Sequence, residues 1–477
     1  MSTSIAISNA RWVGTIQAAR VGVQLAGMVV LSHLLSPTDF GLVAMAFAVN
    51  NFALLIRDLG AGAAIIQRAT LDERTTLTAH WASSMLGLAL GLGLFAASGL
   101  LARLFQAEAL QPLLQMLALS FPVLGSTTVH QALLERASRF ALLARIEISA
   151  VASGLIVAIV AALYGAGAYS LILQTLTNVV VSAVQLRLAS DLKLRWLWSG
   201  EQFRALWRFG GYLFGFNAIN YLARNADAMI IGRALGAASL GPYSLAYRIM
   251  LFPLQNLTFV ATRALMPVMS QSQHAPAQLG AMYLRVLSVI AFFTAPLMTG
   301  LFVLRDLLVE VVLGESWGRV AQLITWFAPI GFAQSLVSAG GAVLTSLGRT
   351  DVLFRLGVFS TALHVAAFFA GLRFGVSGVA AAYLGTTLLN GVLCFGVILP
   401  MVQQSIAALA RAVAPSVAKA LLMGVALEVL APWTVALPGV ARLIVLSLCG
   451  ALIYLLATRA HLQPGDRDAL RLLLKKA

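Results

Sequence analysis

Apolar residues in this chain come in long runs separated by short polar breaks, and the runs are the first thing the sequence predicts. Fourteen can be read, at about 12–34, 40–57, 79–101, 112–134, 142–163, 168–189, 207–234, 241–266, 282–304, 319–346, 352–372, 376–400, 412–431 and 439–459. A bilayer core of about 30 Å needs roughly 20 apolar residues per helix. Each run is therefore long enough to cross as a helix. The runs are continuous, where a membrane barrel would show alternating segments of about ten residues. The expected fold class is an all-α polytopic membrane protein with 12 to 14 spans, the last pair being the least secure.

The polar breaks and several residues inside the runs repeat. Residues 31–49, LSHLLSPTDFGLVAMAFAV, align without a gap onto 231–249, IGRALGAASLGPYSLAYRI, so that Leu35, Gly41 and Ala46 fall on Leu235, Gly241 and Ala246. At an offset of 210, Arg139, Leu143, Arg145 and Gly165 fall on Arg349, Leu353, Arg355 and Gly375. One longer loop in the second copy explains the ten-residue difference. An internal repeat in an apolar chain points to a transporter built from two related halves. The predicted organisation is a six-span lobe at 1–195, a parallel six-span lobe at 196–405, and two extra spans with a basic tail at 406–477. An even number of spans per copy makes the two copies parallel.

Composition sharpens the class. The chain is 60% hydrophobic and 10% charged, with a mean hydropathy of +0.90, whereas soluble domains carry about 25% charged residues. The net charge of +15 invites a nucleic-acid reading, which its distribution opposes. With the N-terminus in the cytoplasm, Arg57, Arg68, Arg74, Arg136, Arg139, Arg145, Arg187, Lys193, Arg195, Arg349, Arg355, Arg411, Lys419, Arg459 and the tail Lys475 and Lys476 fall on the inner side. The outer loops hold few basic residues, such as Arg103, Arg305, Arg319, Arg373 and Arg442, and carry Asp39, Glu108, Asp306, Glu310 and Glu315. This is the positive-inside pattern over short loops, and it predicts both termini in the cytoplasm. The same residues permit contact with anionic lipid heads. The N-terminus lacks the three-part pattern of a signal peptide, so the first run is expected to remain as a helix.

Polar groups are costly in hydrocarbon, so those inside the runs are the candidate site. Gln17, Arg20 and Gln24 share an arc of about 60° on the first run, and Asn217, Asn220, Arg224 and Asp227 an arc of about 80° on the seventh. At the 200-residue offset Gln17 falls on Asn217, Arg20 on Asn220 and Gln24 on Arg224. The polar stripe is itself duplicated. The eighth run adds Arg248 and Gln255, whose counterparts in the first copy are Ala48 and Leu55. One reading is a cationic cavity for an anionic substrate group, led by Arg20, Arg224 and Arg248. Arginine suits a diphosphate because its planar fork donates in pairs and keeps its proton. The other reading pairs Arg224 with Asp227 one turn away and lets Arg248 snorkel or cap a helix end.

Other features carry less. Cys394 and Cys449 both lie in apolar runs and form neither a disulfide framework nor a metal motif. His33, His130 and His364 each stand alone, and no Gly-rich phosphate loop is present. No metal or cofactor is expected, and ATP hydrolysis by this chain is not. Glu147 and Glu428 are possible proton sites near an interface, Pro253, Pro267, Pro296 and Pro329 mark expected kinks, and the Trp-rich link 191–208 reads as an amphipathic tether.

Residues 36–68 carry a family resemblance. Pro37, Asp39, Phe40 and Gly41 match a Pro-x-Asp/Glu-Phe/Tyr-Gly turn, and Asp58, Leu59, Gly60, Gly62, Ala63 and Gln67 match the Asp-Leu-Gly-x-Gly-Ala run that follows it. Together with Leu245, Ala246, Tyr247 and Arg248, these resemble the bacterial Wzx-type polysaccharide flippases of the multidrug/oligosaccharidyl-lipid/polysaccharide exporter superfamily. The resemblance implies a V-shaped pair of lobes in the bacterial inner membrane. It implies that they flip a polyprenyl-diphosphate-linked oligosaccharide from the inner to the outer leaflet by alternating access, for exopolysaccharide, O-antigen or capsule assembly. It further implies that Arg20, Arg224 and Arg248 hold the diphosphate while Gln17, Gln24, Asn217, Asn220, Asp227 and Gln255 line the cavity toward the sugars. Expected partners are the lipid-linked substrate, membrane lipids, and the polymerase and glycosyltransferases of the same pathway, with no nucleic acid.

Two other readings compete. A multidrug or cation antiporter of the same superfamily shares the lobes but needs carboxylates in the cleft, where this sequence puts only Asp227. A membrane polysaccharide polymerase or ligase needs a large external loop, and none is present. The chain is read as a transporter, not an enzyme.

Overall fold

The computed structural model describes residues 22–24, 26–57, 62, 65–66, 71–204, 221, 225–253, 275–460 and 466. Among these residues the chain is helical, with no strand. Among the described residues, ten helical segments are long and apolar enough to cross a membrane. One of them, Thr350–Met401, has 52 residues, a rise of roughly 78 Å if continuous and enough for two crossings. Gly375, at φ 70°, breaks it into two helices. Eleven of the fourteen expected spans are thus present at their expected places. The other three, at 12–34, 207–234 and 241–266, lie wholly or partly outside the described residues.

The chain divides into two compact units, Met1–Gly241 and Pro242–Ala477. In the first, residues 26–34 are helical and are followed by α1 (Pro37–Arg57), α2 (Glu73–Leu104), α3 (Leu110–Ala118), α4 (Ser120–Arg136), α5 (Phe140–Leu163) and α6 (Tyr169–Ala189). The start of α7 (Ala237–Pro253) closes the unit. α5 and α6 form a hairpin whose inner face on α5 is Ala144, Ala150, Gly154, Ala158 and Ala162. Small residues at this spacing let backbones approach, the usual basis of helix packing in lipid. A Cβ on Gly154 would stand 2.6 Å from the Gln174 carbonyl oxygen. Large apolar side chains point the other way, with Leu88, Leu92, Phe95, Ile156 and Leu188 all exposed, as a lipid-facing surface requires.

In the second unit follow α8 (Pro276–Val303), α9 (Arg305–Val312), α10 (Gly318–Ser338), α11 (Gly340–Ser346), α12 (Thr350–Gly371), α13 (Gly375–Met401), α14 (Ile406–Leu430) and α15 (Gly439–Ala460). α8 is its central post. One side of it packs Tyr283, Leu287 and Ile290 with Val343, Ile398 and Val402; the other packs Phe292 and Ala295 with Met423, Leu427 and Tyr454. Thr294 and Ser335, both buried, meet hydroxyl to hydroxyl at 3.1 Å between α8 and α10. Both helices run on through Pro296 and Pro329.

The repeat is written in the backbone as well as the sequence. Arg139 and Arg349, each the residue before a helix, have φ/ψ of −80°/48° and −91°/53°. Each donates its backbone N–H to a carbonyl five residues back, Leu134 and Leu344. Ser138 and Gly348, again 210 apart, take positive φ of 55° and 69°, and Gly165 and Gly375 take 77° and 70°. Glycine accepts that region freely and serine does not.

Candidate functional site

The matched turn of the first copy is a helix start. Ser36 is the N-cap of α1, Pro37 fills the first helical position and Asp39 the third. Asp39 N–H donates to Ser36 Oγ at 3.2 Å and Ser36 N–H donates back to Asp39 Oδ2 at 2.9 Å, a capping box with proline where its missing N–H costs nothing. The other carboxylate oxygen, Asp39 Oδ1, accepts from the Ala168 N–H at 2.9 Å and ties the start of α1 to the start of α6. Gly41 then allows α1 to touch α7. A Cβ on Gly41 would lie 1.9 Å from the Ala237 carbonyl oxygen, and a Cβ on Gly241 would lie 1.9 Å from that of Pro37. Pro37, Asp39 and Gly41 thus build helix junctions.

Below that junction α1 meets the segment that leads into α7. Tyr221 donates its hydroxyl to the Ala48 carbonyl at 2.9 Å, with Phe52 beside the ring at 6.2 Å. Asn225 Nδ2 donates to the Tyr221 carbonyl. Asp227 is 6% exposed, and its Oδ1 accepts from the Ala228 N–H. Asn50, 4% exposed on α1, has an Oδ1 without a partner. The described polar groups of the first unit at this level are therefore amides, a phenol and one carboxylate.

Of the predicted site residues, three are described. Gln24 is exposed and shares a helical face with Gly27, Leu31 and Leu35. That face packs on α5 through Gly27 against Leu155 and through Leu31 and Leu35 against Ala158 and Ala162. Asp227 is buried in the first unit. Arg248, on α7 in the second unit, is exposed, while Tyr243, Ala246 and Met250 on the far side of the helix are buried at 1% or less. Tyr243 and Tyr247 lie nearly parallel at 6.3 Å and both meet Phe327 edge-on. Gln17, Arg20, Asn217, Asn220, Arg224 and Gln255 lie outside the described residues.

Three features escaped the sequence reading. Asn50, Asn51, Tyr221 and Asn225 flank the predicted stripe; their only signal is being polar in an apolar run. Lys419, counted among topology charges, is 7% exposed and pairs at 2.5 Å with Asp466, 1% exposed. His130 does not stand alone: it meets His80 of α2, ring centroids 5.5 Å apart. The link expected to be an amphipathic tether has no helix over residues 190–199. It is strapped to α2 by Trp81 Nε1 on the Arg195 carbonyl at 2.9 Å and by the Ser199 N–H on Thr78 Oγ1 at 3.1 Å. Glu147 and Glu428 are both exposed.

Comparison with known proteins gives this arrangement its relatives. The chain is 28% identical over 405 residues to the lipopolysaccharide biosynthesis protein WzxC of Escherichia coli K12, covering 84% of this chain and 82% of that one. It is 26% identical over 378 residues to the teichuronic acid biosynthesis protein TuaB of Bacillus subtilis 168, covering 77% of each. Among solved structures, the lipid II flippase MurJ in an inward closed conformation matches with a TM-score of 0.74 at 13% identity, over 95% of this chain and 98% of that one. An inward-facing multidrug resistance transporter of the MATE family matches with a TM-score of 0.60 at 16% identity, over 82% and 96%. At these identities the two structures establish the fold: an all-α, multi-pass membrane architecture of the MurJ and MATE kind. Matched over residues 30–322, more than half its length, the chain belongs to the polysaccharide biosynthesis protein family.

Proposed function

We propose that this protein flips a polyprenyl-diphosphate-linked oligosaccharide from the inner to the outer leaflet of the bacterial cytoplasmic membrane, serving exopolysaccharide, O-antigen or capsule assembly. Membership of the polysaccharide biosynthesis family carries the reading, and relatives named for lipopolysaccharide and teichuronic acid biosynthesis support it. The MurJ-like architecture supplies a scaffold compatible with moving a large amphiphile. The chain acts as a transporter, without a catalytic step of its own. Its 1–195 and 196–405 repeats are the moving lobes, 406–477 an appended helical pair, and both termini are cytoplasmic.

In this reading Arg20, Arg224 and Arg248 neutralise the diphosphate. Gln17, Gln24, Asn217, Asn220, Asp227 and Gln255 provide uncharged or acceptor groups for sugar hydroxyls. Bidentate guanidinium contacts to phosphate are charge-assisted and shorter than neutral hydrogen bonds, and they gain strength away from bulk water. The pathway's polymerase and glycosyltransferases supply and consume the substrate on either side of the membrane.

A multidrug antiporter shares the architecture at a TM-score of 0.60. Curated relatives at 26–29% identity are named for polysaccharide synthesis instead. A deletion strain, complemented with the chain, separates the two. Restored surface glycan with unchanged drug sensitivity supports flipping. Restored drug resistance without glycan overturns it.

A further inference from the structure

Four polar atoms on facing turns of α2 and α4 have no hydrogen-bond partner: His80 Nδ1, Ser83 Oγ and both ring nitrogens of His130. The three side chains are 3%, 3% and 2% exposed. Leaving a buried donor or acceptor unmade is costly, so a cluster of four is expensive. Glycine brings the rings together. A Cβ on Gly125 would lie 2.4 Å from the Ser83 carbonyl oxygen, and one on Gly87 would lie 2.5 Å from that of Phe121. This close antiparallel contact carries His80 to His130, whose rings stand at 89° with centroids 5.5 Å apart.

We propose that His80 and His130 form a binding site for one proton, held between the two imidazoles. Two neutral rings each own one N–H and one bare nitrogen. One added proton, shared between the rings, makes a charge-assisted N–H to N bridge that is stronger than a neutral hydrogen bond and satisfies one nitrogen on each ring. A second proton is opposed by the first and by Arg187. That residue stands on α6 with Nη2 on Ser126 Oγ at 2.7 Å, and Ser126 is one turn from His130 on α4. The remaining charged groups on the packed elements are engaged elsewhere or sit at their ends. On α4 Glu135 accepts from Gln131 and Arg136 donates to the Ile65 carbonyl. Glu73 and Arg74 begin α2 and Arg103 ends it, Arg145 and Glu147 lie exposed in the first two turns of α5, and Asp191, Lys193 and Arg195 lie on the strap. A divalent metal fits less well: zinc takes four ligands, whereas no group of three His, Cys, Asp or Glu is assembled among the described residues.

The test uses the full-length protein, labelled with 15N-histidine and held in lipid nanodiscs, with ring-nitrogen chemical shifts followed from pH 4 to pH 9. In the wild type the two histidines gain one proton between them, in a single step seen at both. H80Q and H130Q each remove the shared step from the ring that remains. R187Q, at an exposed side chain, raises the imidazolium fraction at fixed pH several-fold and serves if either histidine variant fails to fold. Two rings that titrate independently, rings that stay neutral throughout, or stoichiometric zinc in the purified protein each overturn the proposal. A role in energising transport rests on the flippase reading. Loss of glycan export in H80Q with normal abundance supports it; full export in H80Q removes the role and leaves the proton site standing.

Discussion

Gly41 and Gly241 make reciprocal contacts: each packs against the backbone carbonyl of the residue four positions before the other, Ala237 and Pro37. Two glycines 200 residues apart in the sequence thus meet within the first unit, at the start of α1 and in the first turns of α7. Any side chain at either position must move one backbone away from the other. Gly41→Ala and Gly241→Ala are each expected to destabilise by about 1–3 kcal/mol, the usual cost of overpacking. Because both press on the same junction, the double variant loses less than the sum. Thermal unfolding in one detergent, with lipid held constant, measures both.

Asp39 holds two junctions with one carboxylate. Asp39→Asn keeps the shape but removes an acceptor from either the Ser36 or the Ala168 N–H. Asp39→Ala removes both, including a capping interaction of typically about 1 kcal/mol. The alanine variant should melt below the asparagine variant, and both below wild type. Equal melting of all three would assign the matched turn some other role.

Lys419 and Asp466 form a buried ion pair between α14 and the C-terminal segment. Removing one partner of a buried pair typically costs about 3–5 kcal/mol, because the other charge is left uncompensated, while replacing both is far milder. Lys419→Met and Asp466→Leu should each reduce membrane abundance sharply. The double substitution should restore most of it, as quantitative blotting of membrane fractions would show.

The strap at 190–199 is held by Trp81. Trp81→Phe keeps the ring but deletes the hydrogen bond to the Arg195 carbonyl, and the strap should loosen. Trypsin cleavage after Lys193 and Arg195 is expected to quicken several-fold in this variant with the remaining fragments unchanged. An unaltered cleavage rate would mean that Ser199 on Thr78 and the Trp196 ring hold the strap without it.

Much of the fold was legible in the sequence because a bilayer leaves few choices. Runs of apolar residues must be helices, and eleven of them stand where their length predicted. The 210-residue echo was legible for a similar reason: Gly165 and Gly375 repeat because the backbone repeats a positive φ. Lateral packing was not legible. His80 and His130 lie fifty residues apart and meet only because Gly87 and Gly125 set the register of α2 against α4, so His130 looked solitary. Lys419 looked like one more topology charge because its partner, Asp466, lies 47 positions on. The polar stripes of the first and seventh runs were legible as periodicity, yet only Gln24 and Asp227 of them are described. Asp227 proves buried, and Gln24 continues the face that packs on α5.

Arg248→Ala and Arg248→Lys probe the candidate site where it is described. Lysine keeps the charge and loses the paired donors. At equal abundance, alanine should lower surface glycan by tenfold or more and lysine should recover part of it. Full export by the alanine variant would remove Arg248 from the site.

The central claim is that the chain moves a lipid-linked oligosaccharide between leaflets, and leaflet distribution in a purified system measures it most directly. Full-length protein is reconstituted into vesicles containing a polyprenyl-diphosphate oligosaccharide, and the fraction of glycan open to an impermeant glycosidase is followed over time. The account predicts that protein-containing vesicles bring inner-leaflet glycan outside much faster than protein-free vesicles, and that Arg248→Ala slows this movement. Equal rates with and without protein, under an imposed proton or sodium gradient as well as without one, would contradict it.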